Sequence, residues 1–180
     1  MSEHVIVVEP GVVRFERLLP GPIERVWEFL TDSEKRGLWL ASGPMEQRAG
    51  GSIAWRFHHA DLSSVPEETP EKYRDENGGC THHMNAKVTR CEPPNVLAFT
   101  WPGDGTESEV TFELKERQDK VLLILTHSRL ADRKEMQDVS GGWHSHLRVL
   151  ADRLEGREPG PFWGPHMETE KDYEKIYAES

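Results

Sequence analysis

Over residues 12–19 the chain alternates, with Val13 and Phe15 set against Arg14 and Glu16, the period-two pattern of a strand with one wet face. Pro20-Gly21-Pro22 interrupts it. Pro22 suits the first turn of a helix, where its missing N–H has no intrahelical partner to lose. Ile23, Val26, Trp27 and Leu30 then recur at helical spacing with Glu24, Arg25 and Glu28 between them, which predicts a short amphipathic helix. A second short helix is expected to begin near Asp32, capped by Asp32 or Thr31. It carries Leu38, Trp39 and Leu40 towards the same core, and Gly37 and Gly43-Pro44 keep it brief.

After Gly50-Gly51 the pattern turns to strands. Ile53, Trp55 and Phe57 share one face, and Ala54, Arg56 and His58 the other. Over residues 60–79 neither period holds, and the run of Pro, Glu, Asp, Ser and Gly predicts a long, partly mobile surface loop. Strands resume over 84–91 and 96–101, joined at Glu92-Pro93-Pro94-Asn95, with Leu97, Phe99 and Trp101 on one face. A turn at Pro102-Gly103-Asp104-Gly105 leads to Val110, Phe112 and Leu114, alternating with Thr111 and Glu113. After Gln118-Asp119, residues 121–127 pair back, completing an antiparallel meander.

A polar connection after Leu130 leads to Gly141-Gly142 and then to the longest helix, predicted over 143–155 and stopped by Gly156. Trp143, Leu147, Leu150, Ala151 and Leu154 form one continuous stripe on it. Glu158-Pro159-Gly160-Pro161 closes a single domain expected over residues 1–158. In the 159–180 tail, residues 168–178 read as a charged helix that docks through Tyr173, Ile176 and Tyr177. No internal repeat is present in the sequence. The order of elements predicts an α+β helix-grip fold: a curved antiparallel sheet of six to seven strands wrapped on a long C-terminal helix, with two short helices after the first strand.

A length of 180 residues suits one substantial core rather than two domains. The 22 basic and 32 acidic residues give a net charge of −10, and no window gathers Lys and Arg into a phosphate-tracking patch, which argues against nucleic acid as a partner. The longest aliphatic run, Val121-Leu122-Leu123-Ile124-Leu125, falls far short of the roughly 20 residues that cross a bilayer. Met1-Ser2-Glu3-His4 lacks the basic and apolar segments of a secretory signal, so the cytoplasm is the expected location, and Cys80 and Cys91 are expected there as free thiols.

Six Trp and six Phe make the apolar surface unusually aromatic. Trp55, Phe57, Phe99, Trp101, Phe112, Leu123 and Leu125 on the sheet face Trp143, Leu147 and Leu150 on the helix. These side chains either wall a small-molecule cavity or fill the space themselves. Trp39 and Trp143 lie nearer helix ends, where a cavity mouth would be. His127, at a strand end, and His146, beside the buried stripe, could reach the rim to orient a polar group or act as acid or base, or could be hydrogen-bonded structural residues; His144 points more outward. Cys80, His82 and His83 lack the second ligand pair of a tetrahedral metal site, and in an extended segment the two histidines face opposite ways, so neither metal nor cofactor is expected. No G-x-S-x-G turn, phosphate loop or dinucleotide fingerprint occurs. Glu67-Glu68, Glu71, Asp75 and Glu76 read as a solvated acidic loop.

Several short segments fall in a recognisable order over residues 12–156: Arg14-Phe15-Glu16-Arg17, Pro22-Ile23-Glu24-Arg25-Val26-Trp27, Leu38-Trp39, Gly50-Gly51, Glu92-Pro93-Pro94, Phe99-Thr100-Trp101 and Gly142-Trp143-His144-Ser145-His146-Leu147. Together they resemble the START-like superfamily, and within it the bacterial branch similar to the activator of the heat-shock protein ninety ATPase. The resemblance implies a helix-grip fold with a cavity between the long helix and the sheet. The superfamily includes lipid and polyketide binders, cyclases and hydroxylase components, so the fold alone does not choose a function. The expectation is non-enzymatic binding of a small lipophilic or aromatic molecule by a monomer or homodimer. Two alternatives stand beside it: a co-chaperone-like module that contacts a chaperone or other protein, and a cyclase- or hydrolase-like enzyme with His127 or His146 as base. The 60–80 loop and the tail depart from the compact family pattern, and either could cover the cavity mouth.

Overall fold

The amino-terminal strand pattern begins before residue 12. In the computed structural model, which describes residues 4–103 and 107–179, β1 (Ile6–Glu9) and β2 (Val12–Pro20) form a hairpin around Pro10-Gly11. Gly11 has a φ of 82° and lies close against Leu130, where a Cβ would sit 2.9 Å from the carbonyl oxygen. All of β1 is exposed, so no buried face imposes the alternation that would have marked it in the sequence. The two short helices therefore follow the second strand, not the first.

These helices are α1 (Ile23–Thr31) and α2 (Ser33–Gly37). Asp32 caps α2, its carboxylate accepting from the Lys35 amide at 3.0 Å. Trp39 and Leu40 then turn into the core, while Leu38, expected there too, is exposed. The Arg36 guanidinium is buried and donates to the carbonyls of Thr31 at 2.9 Å, Ala41 at 3.0 Å and Gly43. It also lies 4.8 Å from the centre of the Trp55 ring, and so fixes the chain between α2 and the sheet.

Five further strands, β3 (Ser52–His58), β4 (Thr81–Glu92), β5 (Val96–Trp101), β6 (Ser108–Arg117) and β7 (Lys120–Ser128), complete one antiparallel, curved seven-stranded sheet of order β1-β2-β7-β6-β5-β4-β3. β4 starts at Thr81, three positions before the expected 84, and this sets Phe57 opposite His82. Of the turn expected at Pro102-Gly103-Asp104-Gly105, Asp104 and Gly105 lie outside the described residues. The outer edge of β3 is covered by residues 42–45, with Ser42 and Arg56 exchanging backbone bonds of 3.0 and 2.9 Å. Gly43 permits this approach: its φ is 114°, and a Cβ would lie 1.7 Å from the Ala54 oxygen.

The long helix α3 (Arg133–Leu154) begins ten positions before the predicted 143. Asp132 caps it by accepting from the Glu135 amide at 2.8 Å, and the Glu135 carboxylate in turn accepts from the Ala131 amide at 2.6 Å. Gly141 and Gly142 sit inside the helix rather than ahead of it, each at a cost of about 1 kcal/mol relative to alanine. Gly156, at a φ of 75°, follows the helix end as expected. The tail helix α4 (Trp163–Ala178) starts at Trp163 rather than 168 and packs on α3 through buried Tyr173 and Tyr177, with Ile176 partly buried beside them.

The segment between β3 and β4 holds short 3₁₀ turns at His59–Leu62 and Glu71–Tyr73, and it is anchored to α4. The Glu67 carboxylate accepts from the amides of Trp163 at 3.0 Å and Gly164 at 3.2 Å, capping that helix from a distance of nearly a hundred residues in sequence. Tyr73 and Lys72 reach Glu170 on the same helix. Loop and tail together form a layer over the amino-terminal half of α3. Among the described residues, no helix is long and apolar enough to cross a membrane.

Candidate functional site

Helix α3 presents one stripe to the sheet, but the stripe changes character along its length. Towards the carboxy terminus it is Leu147, Leu150 and Leu154, all buried; towards the amino terminus the same face carries Val139, Gly142, Trp143 and His146. Leucines fill the space between helix and sheet. Glycine does not, and a Cβ placed on Gly142 would meet nothing within 4 Å. The result is a hollow of about 250 Å³ walled by Leu40, Phe57, Trp101, Val139 and Trp143, with His59, His82, Asp138 and His146 as its polar groups. This lies near the small end of ordinary ligand pockets, roughly 300–1,000 Å³. A second hollow of about 560 Å³ adjoins it, sharing His59, His82, Asp138, Gly142 and His146, and is roofed by Tyr73, Phe162, Trp163, His166 and Glu170 from the loop and α4.

The sequence candidates divide accordingly. Phe57, Trp101, Trp143 and His146 stand on the wall of the inner hollow. Trp55, Phe99, Phe112, Leu123, Leu147 and Leu150 are packed in the core behind it, as is Leu125. Trp39, expected near the mouth, is fully buried and donates from its indole nitrogen to the Phe29 carbonyl at 2.6 Å. Trp55 Nε1 is buried with no hydrogen-bond partner among the described residues.

His127, expected at the rim, lies behind Trp143 and is fully buried. Trp143 Nε1–H donates to its Nδ1 at 3.0 Å, so its proton is on Nε2, which donates to Ser108 Oγ at 2.7 Å. The Ser108 hydroxyl in turn donates to the Trp101 carbonyl at 3.1 Å. Both ring nitrogens are thus committed, and burial pushes the imidazole down to about 3. A base needs a free lone pair, and this ring has none to offer.

His146 differs. Its Nδ1 sits 2.8 Å from the Trp39 carbonyl, an acceptor, so Nδ1 carries the proton and Nε2 keeps its lone pair. Burial holds this ring down to about 3 as well. His59, 5.6 Å away between ring centres, is held down to about 4 by burial, and its Nδ1 is buried with no partner among the described residues. His82 lies stacked on Phe57 at 4.6 Å, and strand pairing sends exposed His83 to the opposite face. Among the described residues, no group of three or more His, Cys, Asp and Glu is placed to hold a metal ion.

The remaining residues of the Gly142–Leu147 run tie α3 to α4. His144 Nδ1 lies 2.9 Å from the Tyr173 hydroxyl, and Ser145 Oγ lies 2.7 Å from His166 Nδ1. His166 Nε2 stands 3.0 Å from Glu170. Ser145, His166 and Glu170 follow one another as in a hydrolase triad. The serine, however, is only 1% exposed and borders neither hollow, so its hydroxyl has no route to a substrate. His59, Tyr73, Gly142, His166 and Glu170 escaped the sequence reading because loop, helix and tail bring them together only in the folded chain. The one local signal was a glycine on the buried stripe of an otherwise regular helix.

A curved antiparallel sheet gripping a long helix, with a hollow left between them at one end, is the architecture of the helix-grip, START-like superfamily. Within it the chain belongs to the family described as activator of Hsp90 ATPase homolog 1-like protein, whose profile matches residues 20–155. The solution structure of the protein encoded by gene BPP1335 from Bordetella parapertussis is 47% identical, with 95% of this chain and 88% of that one covered at a TM-score of 0.80. CalU16 from Micromonospora echinospora is 21% identical over 98% of this chain and 93% of its own, at a TM-score of 0.67. DynU16, from the dynemicin biosynthetic locus, is 21% identical over 83% of this chain and 49% of its own, at 0.59. At that identity the last two establish likeness of fold alone. No curated protein matched the chain in sequence.

Proposed function

We propose that this chain is a non-enzymatic, cytoplasmic binder of a small, largely aromatic molecule, held in the inner hollow with Phe57, Trp101, Trp143 and His146 as its contacts. The observation that carries this reading is the substitution of Gly142 for a core-filling side chain on the inward stripe of α3, opposite two aromatic strand residues. Aromatic walls with a few placed polar groups suit a planar apolar ligand. Binding is favoured over catalysis because His127 has no free nitrogen, and because His146, held neutral far below neutrality, is a hydrogen-bond acceptor but a weak base. DynU16, which shares the fold, comes from a biosynthetic locus, and that is consistent with a small-molecule role.

Titration with a neutral lipophilic dye, followed by quenching of tryptophan fluorescence, tests it. Saturable one-to-one binding is expected, abolished by Gly142→Leu with the circular dichroism spectrum unchanged. A wild-type protein that takes up no dye, or a Gly142→Leu variant that binds as well as wild type, would sink the reading. Assaying the same preparation for stimulation of a heat-shock chaperone ATPase separates it from the role in the family's name, since ligand binding alone predicts no stimulation.

A further inference from the structure

We infer that the occupant of the inner hollow is a neutral aromatic hydrogen-bond donor, carrying a phenolic hydroxyl or ring N–H that it gives to His146 Nε2, with a second polar atom beside it for His59. This rests on the binding reading above and narrows its ligand class. Three observations lead to it. The proton of His146 is fixed on Nδ1 by the Trp39 carbonyl at 2.8 Å, and that carbonyl is itself held in place by the burial of Trp39 and the bond from its indole to Phe29. The remaining nitrogen of His146 is therefore an acceptor, and it belongs to a residue on the cavity wall with no protein donor to it among the described residues. His59, on the same wall, has a buried Nδ1 without a partner among the described residues, and buried polar atoms in folded proteins are rarely left so.

The ring centres of His59 and His146 are 5.6 Å apart, so neighbouring polar atoms on one edge of a ligand can reach both. Burial keeps both rings neutral. An ionised carboxylate would set its oxygens against the lone pair of His146 and could donate nothing to it. A methyl ether or plain hydrocarbon would fill the space yet leave the acceptor desolvated and unpaired, which disfavours binding by roughly ten-fold or more.

The experiment compares three probes of nearly the same shape, 2-naphthol, 2-methoxynaphthalene and 2-naphthoate, titrated at neutral pH into the full-length protein. Expected is at least ten-fold tighter binding of 2-naphthol than of either other probe, with the preference over the ether falling to within about two-fold in His146→Phe. In the ¹⁵N-labelled wild type, 2-naphthol but not the ether is expected to shift the Nε2 resonance of His146, a readout independent of whether the variant folds. Equal affinity for 2-naphthol and its ether, or an Nε2 resonance that does not move, overturns the donor inference while leaving the binding reading intact. If none of the three binds, both fall.

Discussion

A histidine that cannot be protonated without abandoning its partners makes folding depend on pH, and His127 is the clearest instance here. Burial lowers its pKa from 6.5 to about 3, so between those values the unfolded chain takes up a proton that the folded chain refuses. Its contribution is complete above pH 6.5 and is lost as pH falls, at about 1.4 kcal/mol per pH unit. His146, His59 and His144, all lowered chiefly by burial, act in the same direction. In His127→Gln the dependence of unfolding free energy on pH between about 6 and 5 should become shallower by that amount; a slope equal to wild type in urea titrations would contradict the assignment. Arg36 offers a different test. Replacing it with Met keeps much of the volume but leaves the Thr31, Ala41 and Gly43 carbonyls without their buried donor, and should cost about 3 kcal/mol or more, read from the denaturation midpoint.

At the scale of elements, α3 tolerates two glycines for separate reasons. Gly141 faces α4, where a Cβ would touch Glu170 at 3.7 Å, whereas Gly142 faces open space. Gly142→Ala should therefore stabilise the helix by about 1 kcal/mol without disturbing any neighbour, and Gly141→Ala should gain at least as much, since its added methyl makes an ordinary van der Waals contact. Chemical denaturation of the two variants checks both, and a loss of stability in Gly141→Ala would mean that the α3–α4 contact is tighter than its geometry. For α4 the telling residue is Glu67, which closes the amino end of that helix from the loop after β3. Glu67→Gln keeps an acceptor but removes the charge that complements the helix dipole, and should cost about 1 kcal/mol. Amide exchange at Trp163 and Gly164 should accelerate while β6 and β7 stay protected. Uniform acceleration across the sheet would instead mean that the loop and tail unfold with the rest.

For the whole molecule, the strands were legible in the sequence wherever one face was buried: Trp55 against Arg56, or Phe112 against Glu113, show the alternation directly. The strand β1 was not, because Ile6, Val7 and Val8 are apolar, adjacent and all exposed. The first ten residues of α3 were misread because a glycine pair usually marks an end, although Asp132-Arg133-Lys134-Glu135 already had the spacing of a cap. Half-legible, the site offered its aromatic wall and His146 but hid its other polar groups, since His59 and His166 come together only after loop and tail fold over α3. The same edge strand that escaped the reading sets a property of the folded molecule. Residues 42–45 cover β3, whereas among the described residues no strand or bridge pairs with the outer edge of apolar β1. At neutral pH a net charge of −10 opposes pairing of copies through that edge. As pH falls towards the isoelectric point of about 5.4, the repulsion shrinks, and the buried histidines simultaneously weaken the fold. Pairing through β1 is then the expected route to association. Val7→Lys, which puts a charge on that edge, should suppress light scattering at about pH 5 while changing the unfolding free energy by less than about 0.5 kcal/mol. Scattering that persists undiminished in the variant would place the association elsewhere on the surface.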